Sequence, residues 1–208
     1  MKKGFWIILC MFFIPPVTFA GNMKLHYDRP AEYFEEALVI GNGTMGATLY
    51  GGVKKDKISF NDITLWTGEP ESENSSPDAF NTIPEIRALL DNEDYQGADK
   101  AQYKVQGHYS ENYQPLGTLT IEYLDDTAGI SDYHRWLDIG NAMARTQYLK
   151  DGKLFTSDYF ASAPDSVIVI RLKSENKEGI HALLSFDSPL PHSSQVADNE
   201  ISVEGYAA

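Results

Sequence analysis

The sequence predicts a mainly β protein, an antiparallel β-sandwich with a short helical insertion near residues 83–105. Three observations carry this. Short runs that alternate apolar and polar residues recur along the chain, Thr118 to Tyr123 most regularly. Turn-forming residues separate these runs at short intervals, and helical spacing is confined to one stretch. Many short strands, each with one face to bury, stack as a sandwich or barrel.

In chain order, Ala37-Leu38-Val39-Ile40 forms an apolar run, Gly41 to Gly46 a turn, and Ala47-Thr48-Leu49-Tyr50 a second run before Gly51-Gly52. Lys57-Ile58-Ser59-Phe60 and Ile63-Thr64-Leu65-Trp66 both alternate as strands do. Thr82-Ile83-Pro84-Glu85 has capping-box spacing with proline in the first turn, so a helix is expected to start at Thr82. Ile86, Leu89 and Leu90 make its apolar face, and Asp94 to Val105, with Tyr95, Ala98, Ala101 and Gln102, predicts a second helix. Further strands are expected at 118–123, 145–148, 154–161, 166–172, 181–186 and 200–203. Lys150-Asp151-Gly152-Lys153 predicts a tight hairpin, because Asp-Gly suits two consecutive positive φ angles.

The first 20 residues have the layout of a secretory signal peptide. Lys2 and Lys3 precede an apolar run from Phe5 to Ile14, Pro15-Pro16 break it, and the segment closes on Ala20. The run is shorter than the roughly 20 apolar residues of a bilayer span. The expectation is export to a periplasmic or extracellular location, cleavage after Ala20 and no membrane attachment afterwards. Residues 21–208 then form one domain. Cys10 is the chain's one cysteine and leaves with the signal, so disulfides, thiolate metal sites and a cysteine nucleophile are excluded. An exported chain without disulfides fits a bacterial envelope. The net charge of −13 becomes more negative once Lys2 and Lys3 are removed. Such a surface argues against nucleic acid and anionic lipid as partners and is compatible with neutral sugars.

Gly41-Asn42-Gly43-Thr44-Met45-Gly46 matches G-x-G-x-x-G after a strand, but a dinucleotide loop needs a helix next. A strand and another glycine turn follow, so the segment reads as a glycine-rich turn between antiparallel strands. Trp66 lies at the end of an alternating run beside a loop, where an exposed indole would stack on a sugar and a buried one would fill the core. Glu69, Glu71 and Glu73 alternate in a polar loop: either a solvated stretch or the paired carboxylates that glycoside hydrolysis uses. The five histidines, at 26, 108, 134, 181 and 192, show no i, i+3 or i+4 pair, and no G-x-S-x-G elbow occurs. The residues alone therefore describe an exported, acidic β-sandwich with no visible catalytic constellation, cofactor site or metal site.

Several phrases together resemble glycoside hydrolase family 95. They are Pro30-Ala31; Glu36-Ala37-Leu38-Val39-Ile40-Gly41-Asn42-Gly43-Thr44-Met45-Gly46-Ala47; Asn61 with Thr64-Leu65-Trp66-Thr67-Gly68; and Tyr113-Gln114-Pro115-Leu116-Gly117. Tyr133, Arg135, Leu137-Asp138 and Ala142 follow, then Tyr159-Phe160-Ala161-Ser162 with Pro164-Asp165 and Val167 to Arg171. The matches run in order from about residue 27 to 172. Ser157-Asp158 departs from the family's usual Arg-Glu, which puts any pairing there in doubt. The resemblance implies the N-terminal β-sandwich of an inverting α-L-fucosidase, or of an α-L-galactosidase. The catalytic (α/α)6 barrel and its acid would lie outside this chain. It further implies an incomplete sandwich, inactive alone, whose fucosylated glycan substrate is reached through the missing barrel. Gly41, Asn42, Gly43, Gly46, Asn61, Trp66, Gly68, Pro115 and Gly117 become structural signature positions. Trp66, Tyr109 and Tyr113 are the candidate substrate contacts, and no residue here is assigned a catalytic role. A free-standing carbohydrate-binding sandwich and the phosphorylase group of family 65, which shares a similar plan, are the competing readings.

Overall fold

The computed structural model describes residues 23–68, 78–107 and 111–207. The run Glu69-Glu71-Glu73, Tyr109 and the signal-like segment lie outside the described residues. The chain folds as two five-stranded antiparallel sheets, a two-helix insertion and a two-stranded hairpin. The first sheet has the order β1 (Lys24–Tyr27), β6 (Ile130–Asp138), β7 (Met143–Lys150), β8 (Lys153–Ser162), β9 (Val167–Ser174). The second has the order β10 (Ala182–Asp187), β5 (Gly117–Tyr123), β4 (Lys55–Asp62), β3 (Met45–Leu49), β2 (Leu38–Gly41). Strands β11 (His192–Ala197) and β12 (Glu200–Gly205) pair only with each other.

The core lies between the sheets. Leu38, Ile40, Leu49, Ile58 and Ile121 from the second sheet meet Ala144 and Tyr159 from the first. Period-2 alternation is the cause: in β2 the pattern is buried, exposed, buried, exposed, and in β7 Ala144, Thr146 and Tyr148 point inward. The hairpin between β7 and β8 turns at Asp151 (φ 50°) and Gly152 (φ 73°), as its sequence predicts.

Three expectations need correction. Ile63 to Trp66 is not a strand. The Asp62 carboxylate accepts from the Thr64 N–H (2.9 Å) and hydroxyl (2.6 Å), which bends the chain, and only Trp66 makes a single bridge, to Tyr113. The helix does not start at Thr82. Helix α1 spans Ala79–Asp91, so Thr82 and Pro84 lie inside it, and the Thr82 hydroxyl donates back to the Asp78 carbonyl (3.0 Å) rather than capping. Helix α2 spans Tyr95–Gln102 and is capped by Asp94, whose carboxylate accepts from the Gly97 N–H at 2.9 Å. The third correction is one of omission: the sequence pattern does not reveal β1, β6 and β11. Strand β1 is exposed throughout and is held by pairing with β6.

The two helices contact chiefly each other, with Ala98 and Ala101 buried, and stand off the sandwich between β4 and β5. Phe80 (84% exposed) and Tyr95 (67%) are left facing solvent. Among the described residues no helix is long and apolar enough to cross a membrane.

Two charged groups are sealed in the sandwich. Asp56, 1% exposed, accepts from the Gly52 N–H (2.8 Å) and the Tyr159 hydroxyl (2.8 Å). Burial pushes its carboxyl up to about 6 against the pull of these donors. Arg135, also 1% exposed, donates through Nε to the Arg29 carbonyl and through Nη1 to the Glu36 carbonyl, both at 2.8 Å, with its guanidinium 4.1 Å from the Tyr27 ring centre. The Ser157-Asp158 departure keeps a pairing: Asp158, on the outer side of β8, is nearly buried and bonds both Arg145 and Arg171.

Candidate functional site

The signature positions, dispersed in sequence, converge at one end of the second sheet. Gly41 pairs with Gly46, and Gly46 with Asn61 on β4. The Asn61 side-chain oxygen accepts from the Leu116 N–H (3.2 Å), which fixes the approach of the 111–117 segment to β4. Gly117 pairs with Phe60, and a methyl group added there would sit 2.5 Å from Cζ of Phe186 and 2.6 Å from the Asp187 carbonyl. Only glycine lets β10 approach β5 so closely at this point. Gly46, Asn61, Pro115 and Gly117 are among the residues that line an open cavity of about 490 Å³, together with Phe34 and Pro189.

Asn42 organises the turn before β3. Its side-chain oxygen accepts from the N–H groups of Thr44 (3.1 Å) and Met45 (2.8 Å), while Gly43 takes φ 97°. Its amide nitrogen donates to the Ser162 carbonyl (2.9 Å) and so ties the second sheet to the end of β8. Replacing Asn42 by Ala removes these bonds together. The expected loss is about 2 kcal/mol, read as a lower urea midpoint at unchanged m-value.

Trp66 and Tyr113 meet beside this turn. Their rings are 5.3 Å apart at 59°, both about half exposed, and the indole N–H donates to the Ile63 carbonyl (2.9 Å). The segment is pinned by Thr67 N–H to the Asn112 carbonyl (3.0 Å) and by Gln114 N–H to the Leu65 carbonyl (2.9 Å). Glu111, which sequence reasoning missed, accepts from the Thr67 hydroxyl (2.9 Å) and packs over Gly68, where a Cβ would lie 2.3 Å from its carboxyl carbon. No motif flags Glu111; only the folded loop brings it here. Of the three candidate contacts, then, Trp66 and Tyr113 come together and Tyr109 lies outside the described residues.

The chemistry offered is binding. The tilted aromatic pair suits the C–H face of a sugar, and Glu111 and Gln114 lie in the same loop pair. The nearby Asp62 is held below the usual carboxylate range by Thr64, so it serves as a hydrogen-bond acceptor. The carboxyl with an acid-like pKa, Asp56, lies sealed between the sheets and holds the backbone at Gly52. Its value reflects burial and gives a substrate nothing to meet. Among the described residues no group of three or more His, Cys, Asp and Glu side chains is arranged to hold a metal ion.

Comparison with known proteins gives this arrangement its setting. Residues 25–208 match the model of the glycosyl hydrolase family 65 N-terminal domain. Alpha-L-fucosidase 2 of Arabidopsis thaliana is 33% identical over 83% of this chain and 21% of its own length. A probable alpha-fucosidase A of Aspergillus niger is 28% identical over 81% of this chain and 22% of its own, and one of Aspergillus oryzae is 28% identical over 67% and 20%. The chain thus spans about a fifth of the length of these relatives. The family match, over most of the chain, shows that it belongs to the glycosyl hydrolase family 65 N-terminal domain family.

Proposed function

We propose that this chain serves as the non-catalytic N-terminal domain of an exported, inverting α-L-fucosidase of family 95, and that alone it is inactive. The catalytic groups and most of the contacts to a fucosylated glycan would then belong to the remaining four-fifths of a larger polypeptide. The carrying observation is the helical insertion. It contacts chiefly itself and leaves Phe80 and Tyr95 exposed to solvent, large apolar side chains of the kind found at interfaces. The names of the relatives, the family 95 phrases and the cavity that four signature residues line support the same reading. Export rests on the signal-like order of residues 1–20.

The test is a chimera in which residues 25–208 replace the matching fifth of the Arabidopsis relative. Fucose release from 2′-fucosyllactose is expected from the chimera, none from the purified 208-residue chain, and little from the relative lacking that fifth. Turnover by the isolated chain at an enzyme-like rate would overturn the proposal. An α-L-galactoside run in parallel separates the two sugar specificities. The exposed Trp66–Tyr113 pair favours a second reading, a carbohydrate-binding module. Glycan-array binding by the isolated chain that Trp66→Ala abolishes would support it, and silence there would favour the packing role.

A further inference from the structure

The outer face of the first sheet carries chemistry that holding the sandwich together does not require. Strand register sets His26 beside Trp136, Trp136 beside Arg145, Arg145 beside Asp158 and Asp158 beside Arg171. The next row runs His134, Gln147, Thr156, Lys173. Over the β1 side of these rows lies an open depression of about 280 Å³ lined by Lys24, His26, His134, Trp136 and Gln147. The two imidazole rings sit 5.1 Å apart, tilted by 36°. The Nδ1 of His134 is buried without a hydrogen-bond partner. Among the described residues, neither the Trp136 indole N–H nor the Gln147 amide is bonded by another protein group. An aromatic ring with an unbonded indole N–H and an unbonded side-chain amide thus line one concavity, with the buried Nδ1 of His134 beneath its wall.

Charge narrows the ligand. These rows, with Lys24 and Asp138 at their edge, hold four cations (Lys24, Arg145, Arg171, Lys173) against two carboxylates, in a chain of net charge −13. The Lys24 ammonium lies 3.6 Å from Asp138, and Arg145 lies over the Trp136 ring at 5.7 Å. A long polyanion would meet the acidic remainder of the surface, whereas a small acid feels chiefly the charges within a Debye length of roughly 8–10 Å.

We propose that this depression binds an acidic sugar unit, a pyranose bearing a carboxylate or a sulfate. Its C–H face stacks on Trp136, its hydroxyls bond Gln147, and its anionic group is drawn to Lys24 and Arg145. The site lies on the first sheet, whereas the signature cavity lies on the second.

The test titrates the purified chain with digalacturonic acid and, separately, a monosulfated disaccharide, with neutral 2′-fucosyllactose as control, following backbone amide shifts by NMR. Saturating shifts confined to β1, β6 and β7 with at least one acidic probe are expected, and the probe that responds identifies the anion. Trp136→Ala should weaken binding about tenfold and Gln147→Ala by roughly threefold, while Lys55→Ala on the other sheet leaves it unchanged. Gln147→Ala keeps the test decisive should Trp136→Ala fail to fold. Equal binding of the neutral probe, no shifts at millimolar ligand, or wild-type affinity in Gln147→Ala would overturn the proposal.

Discussion

Replacing Arg135 by Met lowers the stability of this domain by about 3 kcal/mol, the expected result of leaving two carbonyls without their charged donor. The Arg29 and Glu36 carbonyls each receive a 2.8 Å bond from the guanidinium, and the Tyr27 ring covers it from outside. These contacts bind the segment running from β1 to β2 onto β6. The loss should therefore be local as well as global. Amides of Lys24–Tyr27 should exchange with solvent before the rest of the first sheet does. Arg135→Lys is expected to lose nearly as much, since a single ammonium cannot reach both carbonyls in the planar fork that arginine supplies. For a domain of this size the drop corresponds to a Tm lower by roughly 10 °C. A midpoint for Arg135→Lys equal to that of the wild type would refute this account.

The second large effect depends on pH. The Asp56 carboxyl stands at about 6 in the folded protein against 3.8 as its ordinary value, with burial the first cause. The folded state therefore holds the proton more firmly than the unfolded one. Stability from this group is fully present below about pH 4, falls as pH rises, and is lost once pH passes about 6. The expected size is about 3 kcal/mol, from roughly two pKa units at 1.36 kcal/mol each. Glu36, Asp62, Asp138 and Asp158 are shifted down, and their contributions run the opposite way, disappearing as pH falls. A plain pH scan would mix the two. Asp56→Asn separates them, because the amide keeps an acceptor for Gly52 and a donor toward the Tyr159 oxygen but cannot ionise. The stability difference between the Asp56→Asn variant and wild type should swing by about 3 kcal/mol in favour of the variant from pH 4 to pH 7. A difference that stays constant across that range would contradict the argument.

Neither group was legible in the sequence, and the reason is physical. Alternation reports which face of a strand is apolar, and a charged residue at an inward position, such as Asp56 or Arg135, carries no such signal. Their burial depends on partners far along the chain, Tyr159 for the first and the Arg29 and Glu36 carbonyls for the second. What local chemistry decides was readable: the Asp151-Gly152 hairpin, the alternation of β5, the glycine turn after β2. Where a side chain competes with the backbone the reading failed. Asp62 captured Thr64 and turned an alternating run into a bend, and Thr82 bonded backward into α1. Strand β6 carries no strand signal in the sequence because Asp132, His134, Arg135 and Asp138 interrupt any apolar period. Trp66 and Tyr113 were legible as candidates by residue type. Their meeting was not, because it depends on the fold of two loops.

The strand order carries a consequence for how the chain assembles. Strands β6 to β9 are joined by short turns and pair each with the next, so their contacts form at small loop-closure cost. Strand β1 belongs to the same sheet yet pairs Lys24 with Asp138, across the whole of the second sheet's first four strands and both helices. Closing that long loop gains nothing until β6 already exists as a template. The meander can therefore order on its own, and Arg135, waiting on its inner face, becomes the latch that the N-terminal segment closes on last.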